Sequence, residues 1–183
     1  MRRRGYLLCG ILLAAATLSA QKPADRTNAL ENTAGRDRIA REVRHELVML
    51  PYYGVFDNLA YRVDGSTVTL YGQVVRPTLK SDAENVVKRI EGVTRVNNEI
   101  EALPLSPNDD RIRREEFRAI YSTPNLERYA LQAVPPIHII VNNGKVTLVG
   151  VVASKADKDL AALRANTVGG VFTVTNDLQV EGN

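Results

Sequence analysis

The sequence predicts an α+β protein built from two tandem αββαβ units, each a two-layer sandwich of a small three-stranded mixed sheet and two helices. Two observations carry this prediction. First, Val68-Thr69-Leu70-Tyr71-Gly72-Gln73-Val74 recurs as Val146-Thr147-Leu148-Val149-Gly150-Val151-Val152, and self-similarity at a long fixed period marks a repeated supersecondary unit. The same offset aligns Ala83 with Ala161, Gly92-Val93 with Gly170-Val171, Val96 with Val174 and Asn98 with Asn176. Second, the hydrophobic period switches between 3.6 and 2 in the same order in both copies.

Each element follows from local chemistry. Ile39, Val43, Leu47 and Leu50 recur at helical spacing, which predicts a first helix over 37–50. The copy over 109–121 uses Ile112, Phe117, Ile120 and Tyr121, a less regular stripe. Asp64-Gly65 and Asn143-Gly144 lie between apolar runs, a strong hairpin signal. Leu59, Tyr61 and Val63 fall at alternate positions and point one way, and Val68, Leu70 and Val74 alternate similarly, so each set lines one sheet face. Pro77 suits the first position of a second helix, and Ser154 with Asp157 forms an N-cap with an acidic partner three residues on. Gly92 and Gly170 are helix stops. Last strands are predicted over 95–103 and 173–181. The units therefore span 36–104 and 108–181. Units this small bury only about 60% of their unfolded surface, so mutual support between the copies is expected.

The charge balance depends on the first twenty residues. The chain has 183 residues, with 24 Lys+Arg against 21 Asp+Glu and a pI near 9.1. Residues 1–20 read as a secretory signal peptide: Arg2, Arg3 and Arg4 precede an uncharged, mostly apolar run ending at Leu18-Ser19-Ala20. Without them, basic and acidic residues number 21 each. Each copy is also neutral by itself, so nucleic acid is not an expected partner. Cys9 is the single cysteine. It lies early in the apolar run behind Leu8, a poor context for lipidation, and it leaves with the leader. Residues 21–35 are expected to form a flexible polar lead-in. The protein is expected to be exported, to the periplasm or envelope.

Enzyme chemistry finds no foothold. One Cys and two His exclude a disulfide framework and any multi-cysteine metal site. There is no Trp and aromatics are 5%, so stacking platforms are scarce. No glycine-rich phosphate loop appears. Hence no catalytic, cofactor-binding or metal-ligating residue is assigned, and no cofactor is expected.

Two repeated motifs carry a resemblance. Val68 to Val74 followed by Gly92-Val93-Thr94-Arg95-Val96-Asn97-Asn98-Glu99-Ile100, and their second copies at 146–152 and 170–178, are similar to the BON domain (bacterial osmotically inducible protein Y and nodulation). The resemblance covers nearly all of the chain after the leader. It implies a periplasmic or envelope protein without catalytic residues that binds phospholipid membranes or envelope proteins. Gly72 and Gly150 match the family's glycine.

The remaining polar and aromatic residues supply contact candidates. Arg38, Arg41, Glu42 and His45 correspond to Arg111, Arg114, Glu115 and Arg118, each set on one helix face. Such a stripe is either a contact for anionic head groups or a solvated face laced with ion pairs, since Asp109, Asp110, Glu115 and Glu116 interleave with the arginines. Tyr52, Tyr53, Phe56 and Tyr61 cluster in one loop, with Tyr129 in its longer counterpart. These aromatics either dip into a lipid interface or cap the core. By strand parity Ile140, Val149 and Val151 point away from the helices, an apolar outer face that invites docking by the other copy or by a second protein. His138 shares that face. Gly72 and Gly150 are read as close strand approaches, and Asn98 and Asn176 as core-facing amides that need hydrogen bonds.

Overall fold

The computed structural model describes residues 23–182; the expected leader, residues 1–20 with Cys9, lies outside them. Two αββαβ modules follow one another. Module 1 comprises α1 (Pro23–Val48), β1 (Asn58–Asp64), β2 (Thr67–Val74), α2 (Pro77–Val87) and β3 (Arg95–Ala102). Module 2 comprises α3 (Pro107–Tyr121), a short 3₁₀ turn (Glu127–Leu131), β4 (Ile137–Asn142), β5 (Lys145–Val152), α4 (Lys155–Ala165) and β6 (Thr173–Val180).

In each sheet the second strand is central. β1 pairs antiparallel with β2, which pairs parallel with β3 across the α2 crossover; β4, β5, β6 and α4 repeat this arrangement. Both helices of a module lie on one sheet face. The module 1 core is Ile39, Val43 and Leu47 of α1, Leu79 and Ala83 of α2, and Val68, Leu70 and Ile100 of the sheet. In module 2 the repeat-related Ile112, Ile120, Ala161, Val146, Leu148 and Leu178 do the same work. Complete burial of such an aliphatic side chain contributes about 1.5–3 kcal/mol.

Three details differ from expectation. α1 begins at Pro23, so most of the stretch expected as a flexible lead-in is helix; proline is tolerated at a first helical position because its missing amide has no intrahelical partner there. The first hairpin turns on Gly65-Ser66, one residue later than Asp64-Gly65, with Asp64 paired to Thr67. The second turns on Asn143-Gly144, both at positive φ (52° and 75°), the requirement of a type I′ turn. The helices also stop before their glycines: Gly92 and Gly170 sit at φ 88° and 85° in the turns leading to β3 and β6.

The repeated motif residues hold each module together. Gly72 and Gly150 adopt φ 121° and 132°, and a Cβ there would lie 2.0 Å from the Asn58 carbonyl oxygen or 1.8 Å from that of Pro136. Asn98 Nδ2 donates to Lys80 O (2.8 Å) and its Oδ1 accepts from the Ile100 amide (3.2 Å). Asn176 makes the matching bonds to Lys158 O (2.9 Å) and from the Leu178 amide (3.3 Å). Each amide thus ties the last strand to the second helix.

Candidate functional site

The features that distinguish this chain from two independent modules lie at their junction. The loop between α1 and β1 leaves module 1 and seats itself on module 2. Its shape is set by Asp57, whose buried carboxylate accepts from the Gly54 amide (3.1 Å) and the Val75 amide (2.8 Å). Burial raises the Asp57 pKa; the amide bonds and the guanidinium groups of Arg113 and Arg76 oppose that shift. The loop so braced presents Val55, whose carbonyl accepts from the Ile139 amide of β4 at 2.8 Å. Val55 and Phe56 pack against the module 2 core. The Phe56 ring meets Phe117 edge-on at 6.3 Å, and Phe117 in turn lies 4.8 Å from Tyr121. Tyr53 stacks on His138 at 5.7 Å, and burial, with the nearby Asp57 charge, pushes its hydroxyl up to about 12. His138 is held below its ordinary value, burial outweighing the carbonyls of Asp57 and Gly54, so it is neutral at pH 7.

The same edge of β4 is closed by α3. The Tyr121 hydroxyl donates to Ile137 O (2.6 Å) and Arg113 Nη2 donates to Val141 O (2.7 Å). Asp109, at the first turn of α3, accepts from the Asn143 and Gly144 amides of the hairpin, each at 2.8 Å. One outward-facing group on each of Ile137, Ile139 and Val141 is therefore satisfied without a fourth strand, which blunts the tendency of this edge to pair elsewhere.

The contact candidates separate into used and unused groups. Arg38 pairs with Glu42 (3.2 Å) and donates to Glu91 O (2.9 Å); Arg111 pairs with Glu115 (2.6 Å) and donates to Gly169 O (3.1 Å). Both staple the first helix to the turn after the second. Arg41, Arg114 and Arg118 are exposed. Glu116 is not part of the polar stripe: it is 0% exposed in the core of module 2, at the position Val43 takes in module 1.

Among the aromatics, Tyr129 is corrected as a lipid contact. It is only 8% exposed, and its hydroxyl donates to Asp157 Oδ2 (3.0 Å) and accepts from the Ala153 amide (2.8 Å); it locks the 3₁₀ turn to the start of α4. Phe56 is likewise turned inward onto module 2, and Tyr53 lies between the module 1 core and His138. Tyr52 alone of these stays out, 71% exposed, with Arg76 4.6 Å above its ring. Beside it stand two residues the helical stripe did not single out, Val48 at 51% and Met49 at 67% exposed.

The outer sheet face of module 2 looks onto module 1. Ile140 is buried yet outside both cores; with Val149 it lines a cleft of about 530 Å³ opposite Asn58, Gln73 and Leu103. A second cleft, of about 520 Å³, runs between Leu47, Leu59 and Tyr61 of module 1 and Pro136, Val149 and Val151 of module 2. No group of three or more metal-ligating side chains occurs among the described residues, and no described helix is long and apolar enough to cross a membrane.

Comparison with known proteins adds a family. The BON domain model matches residues 36–104 and 124–182. The second match begins after α3, although α3 packs on the same core as the rest of module 2. No curated protein matches the chain. Among solved structures, the C-terminal domain of CdsD, the structural protein of the Type III secretion system of Chlamydia trachomatis, aligns at 10% identity and TM-score 0.27, covering 76% of this chain and 96% of that one. A second structure of CdsD, described as a structural protein of the same system, aligns at 13% identity and TM-score 0.28, covering 79% and 94%.

Proposed function

The chain belongs to the BON-domain family, and from that premise we propose that it is an exported, non-catalytic envelope protein whose paired modules associate with phospholipid surfaces. The observation that carries the lipid reading is the tip of module 1. Val48, Met49 and Tyr52 expose apolar surface within one turn of chain, and Arg44, His45 and Arg76 surround it in sequence and space. Apolar side chains flanked by the Arg44 and Arg76 guanidinium groups suit the boundary between head groups and acyl chains. Because each module is neutral overall, attraction over distance is weak, and binding depends on this local patch and on salt.

Cosedimentation with anionic and neutral vesicles across salt concentrations tests the reading. Binding to anionic vesicles that weakens with salt is expected. The double variant Met49→Ser, Tyr52→Ser should bind about tenfold more weakly, since it removes two partly inserted apolar groups. Failure to bind either vesicle at low salt, or binding unchanged by the double substitution, removes the lipid reading.

A further inference from the structure

The chain contains one Asn-Gly step, Asn143-Gly144, and it forms the turn between β4 and β5. The backbone there calls for this pair. Asn143 and Gly144 sit at φ 52° and 75°, a region that glycine enters freely and asparagine more readily than most residues. A Cβ on residue 144 would also lie 2.6 Å from the Phe172 ring, and the Phe172 amide donates to Gly144 O (2.9 Å). The fold therefore requires a dipeptide that carries a chemical liability. A glycine amide has no Cβ to hinder it, so its nitrogen can attack the side-chain carbonyl of the asparagine before it.

One side chain opposes that reaction. Asp109 is 1% exposed and accepts from the Asn143 amide through Oδ2 and from the Gly144 amide through Oδ1, each at 2.8 Å. Before it attacks, the Gly144 nitrogen must lose its proton and swing toward Asn143 Cγ. The two bonds pin the peptide groups on both sides of the Asn143 Cα, so the swing requires that the bond to Oδ1 break. A carboxylate beside the amide also opposes loss of its proton. Asp109 is itself anchored, its own amide donating to Ser106 Oγ (3.2 Å) at the start of α3. Module 1 has neither part of this arrangement: its hairpin turns on Gly65-Ser66, and Arg36 stands at the position of Asp109.

We propose that Asn143 is a site of spontaneous deamidation, closed while Asp109 holds the hairpin and opened when the first turn of α3 lets go. The Gly144 nitrogen bonds to Asn143 Cγ, the Cγ–Nδ2 bond breaks, and the side-chain nitrogen leaves as ammonia with the proton of the Gly144 amide. The product is a five-membered cyclic imide. Water then opens it at either carbonyl, leaving aspartate or isoaspartate at position 143. Neither product suits the clamp. Aspartate sets a second carboxylate beside Asp109, and isoaspartate lengthens a two-residue turn by one backbone bond. Because Asp109 ties α3 to the hairpin, either product loosens the hold of α3 on module 2. The inference is independent of the lipid reading, which rests on Met49 and Tyr52.

The test incubates the full chain at mildly alkaline pH and follows position 143 over time by the mass of the peptide that contains it. The folded parent should deamidate about tenfold or more slowly than the same chain unfolded in urea, and Asp109→Ala should recover most of that difference. Asp109→Asn, which keeps the shape and one acceptor oxygen, should fall between them, and it decides the matter if the alanine variant does not fold. Ser154→Ala removes the cap of α4, away from the hairpin, and controls for a general loss of stability; it should deamidate like the parent. The proposal is overturned if the folded parent reacts as fast as the chain in urea. It is equally overturned if folded Asp109 variants react no faster than Ser154→Ala.

Discussion

The two modules share a motif, a topology and a core, yet their first helices bury different chemistry. α1 turns Ile39, Val43 and Leu47 inward; α3 turns Ile112, Glu116 and Ile120 inward, and adds the buried Arg113 and Tyr121. The apolar helix belongs to the module that donates a loop, and the polar one to the module that receives it. Arg113 and Tyr121 hold the strand edge on which Val55 rests. The two edges are repeat-related, and in module 2 the α3 side chains of Arg113 and Tyr121 bond to the backbone of theirs.

The comparison breaks most severely at the shared glycines. Gly72→Ala or Gly150→Ala would drive a methyl group into a neighbouring strand's carbonyl at a φ that alanine rarely adopts. Each should cost roughly 3–5 kcal/mol. If the loop truly couples the modules, Gly150→Ala should also speed exchange around Val55-Phe56, and calorimetry should show one broadened or lowered transition. Two well-separated transitions, with module 1 unaffected, would show that the junction carries little energy.

Glu116 is the next largest effect. Its two carboxyl oxygens are buried without a hydrogen-bond partner among the described residues, and burial pushes its pKa up to about 8 from 4.5. The native state therefore holds this proton more tightly than the unfolded chain. Stability contributed by the protonated form is fully present below pH 4.5 and declines as pH rises towards 8. Glu116→Leu, which restores the apolar character of Val43, should stabilise module 2 by on the order of 2–3 kcal/mol at pH 7 and by much less near pH 4. Thermal melts at both pH values check this. A gain of equal size at both would mean that the carboxyl is not carrying the proton.

Much of the fold was legible because it is written twice. The string around Gly72 and Gly150, the turns, the Ser154 cap and the two asparagines each rest on local chemistry that repeats, and repetition confirms local signals. The junction was less legible. Tyr53 and Phe56 read as loop aromatics able to face core or lipid, because no local rule reports that a neighbouring module offers an open strand edge. Tyr129 read the same way, its hydroxyl partner Asp157 being distant in sequence. Glu116 was hidden by its charge: a stripe drawn from apolar residues skips it, although the repeat sets it opposite Val43. The outer face of Ile140, Val149 and Val151 was visible from strand parity, and the structure adds the two clefts it shares with module 1.

The smallest effects concern the arginines, and they separate two roles that sequence spacing merges. Arg38 and Arg111 each bind a carbonyl beyond the second helix and an exposed glutamate. Arg38→Gln or Arg111→Gln should cost about 1 kcal/mol or less, because exposed ion pairs contribute little and each carbonyl bond is solvent-accessible. Arg41 and Arg114 make no such ties among the described residues, so the double variant Arg41→Gln, Arg114→Gln should melt within about 0.5 kcal/mol of the parent. Its consequence should fall on association instead. If the exposed cations assist at an anionic surface, this variant loses vesicle affinity and part of the salt dependence, while the Arg38 and Arg111 variants keep both. Equal vesicle binding by all of them would confine the surface contact to the Val48, Met49 and Tyr52 tip and leave the two helix stripes as solvated faces.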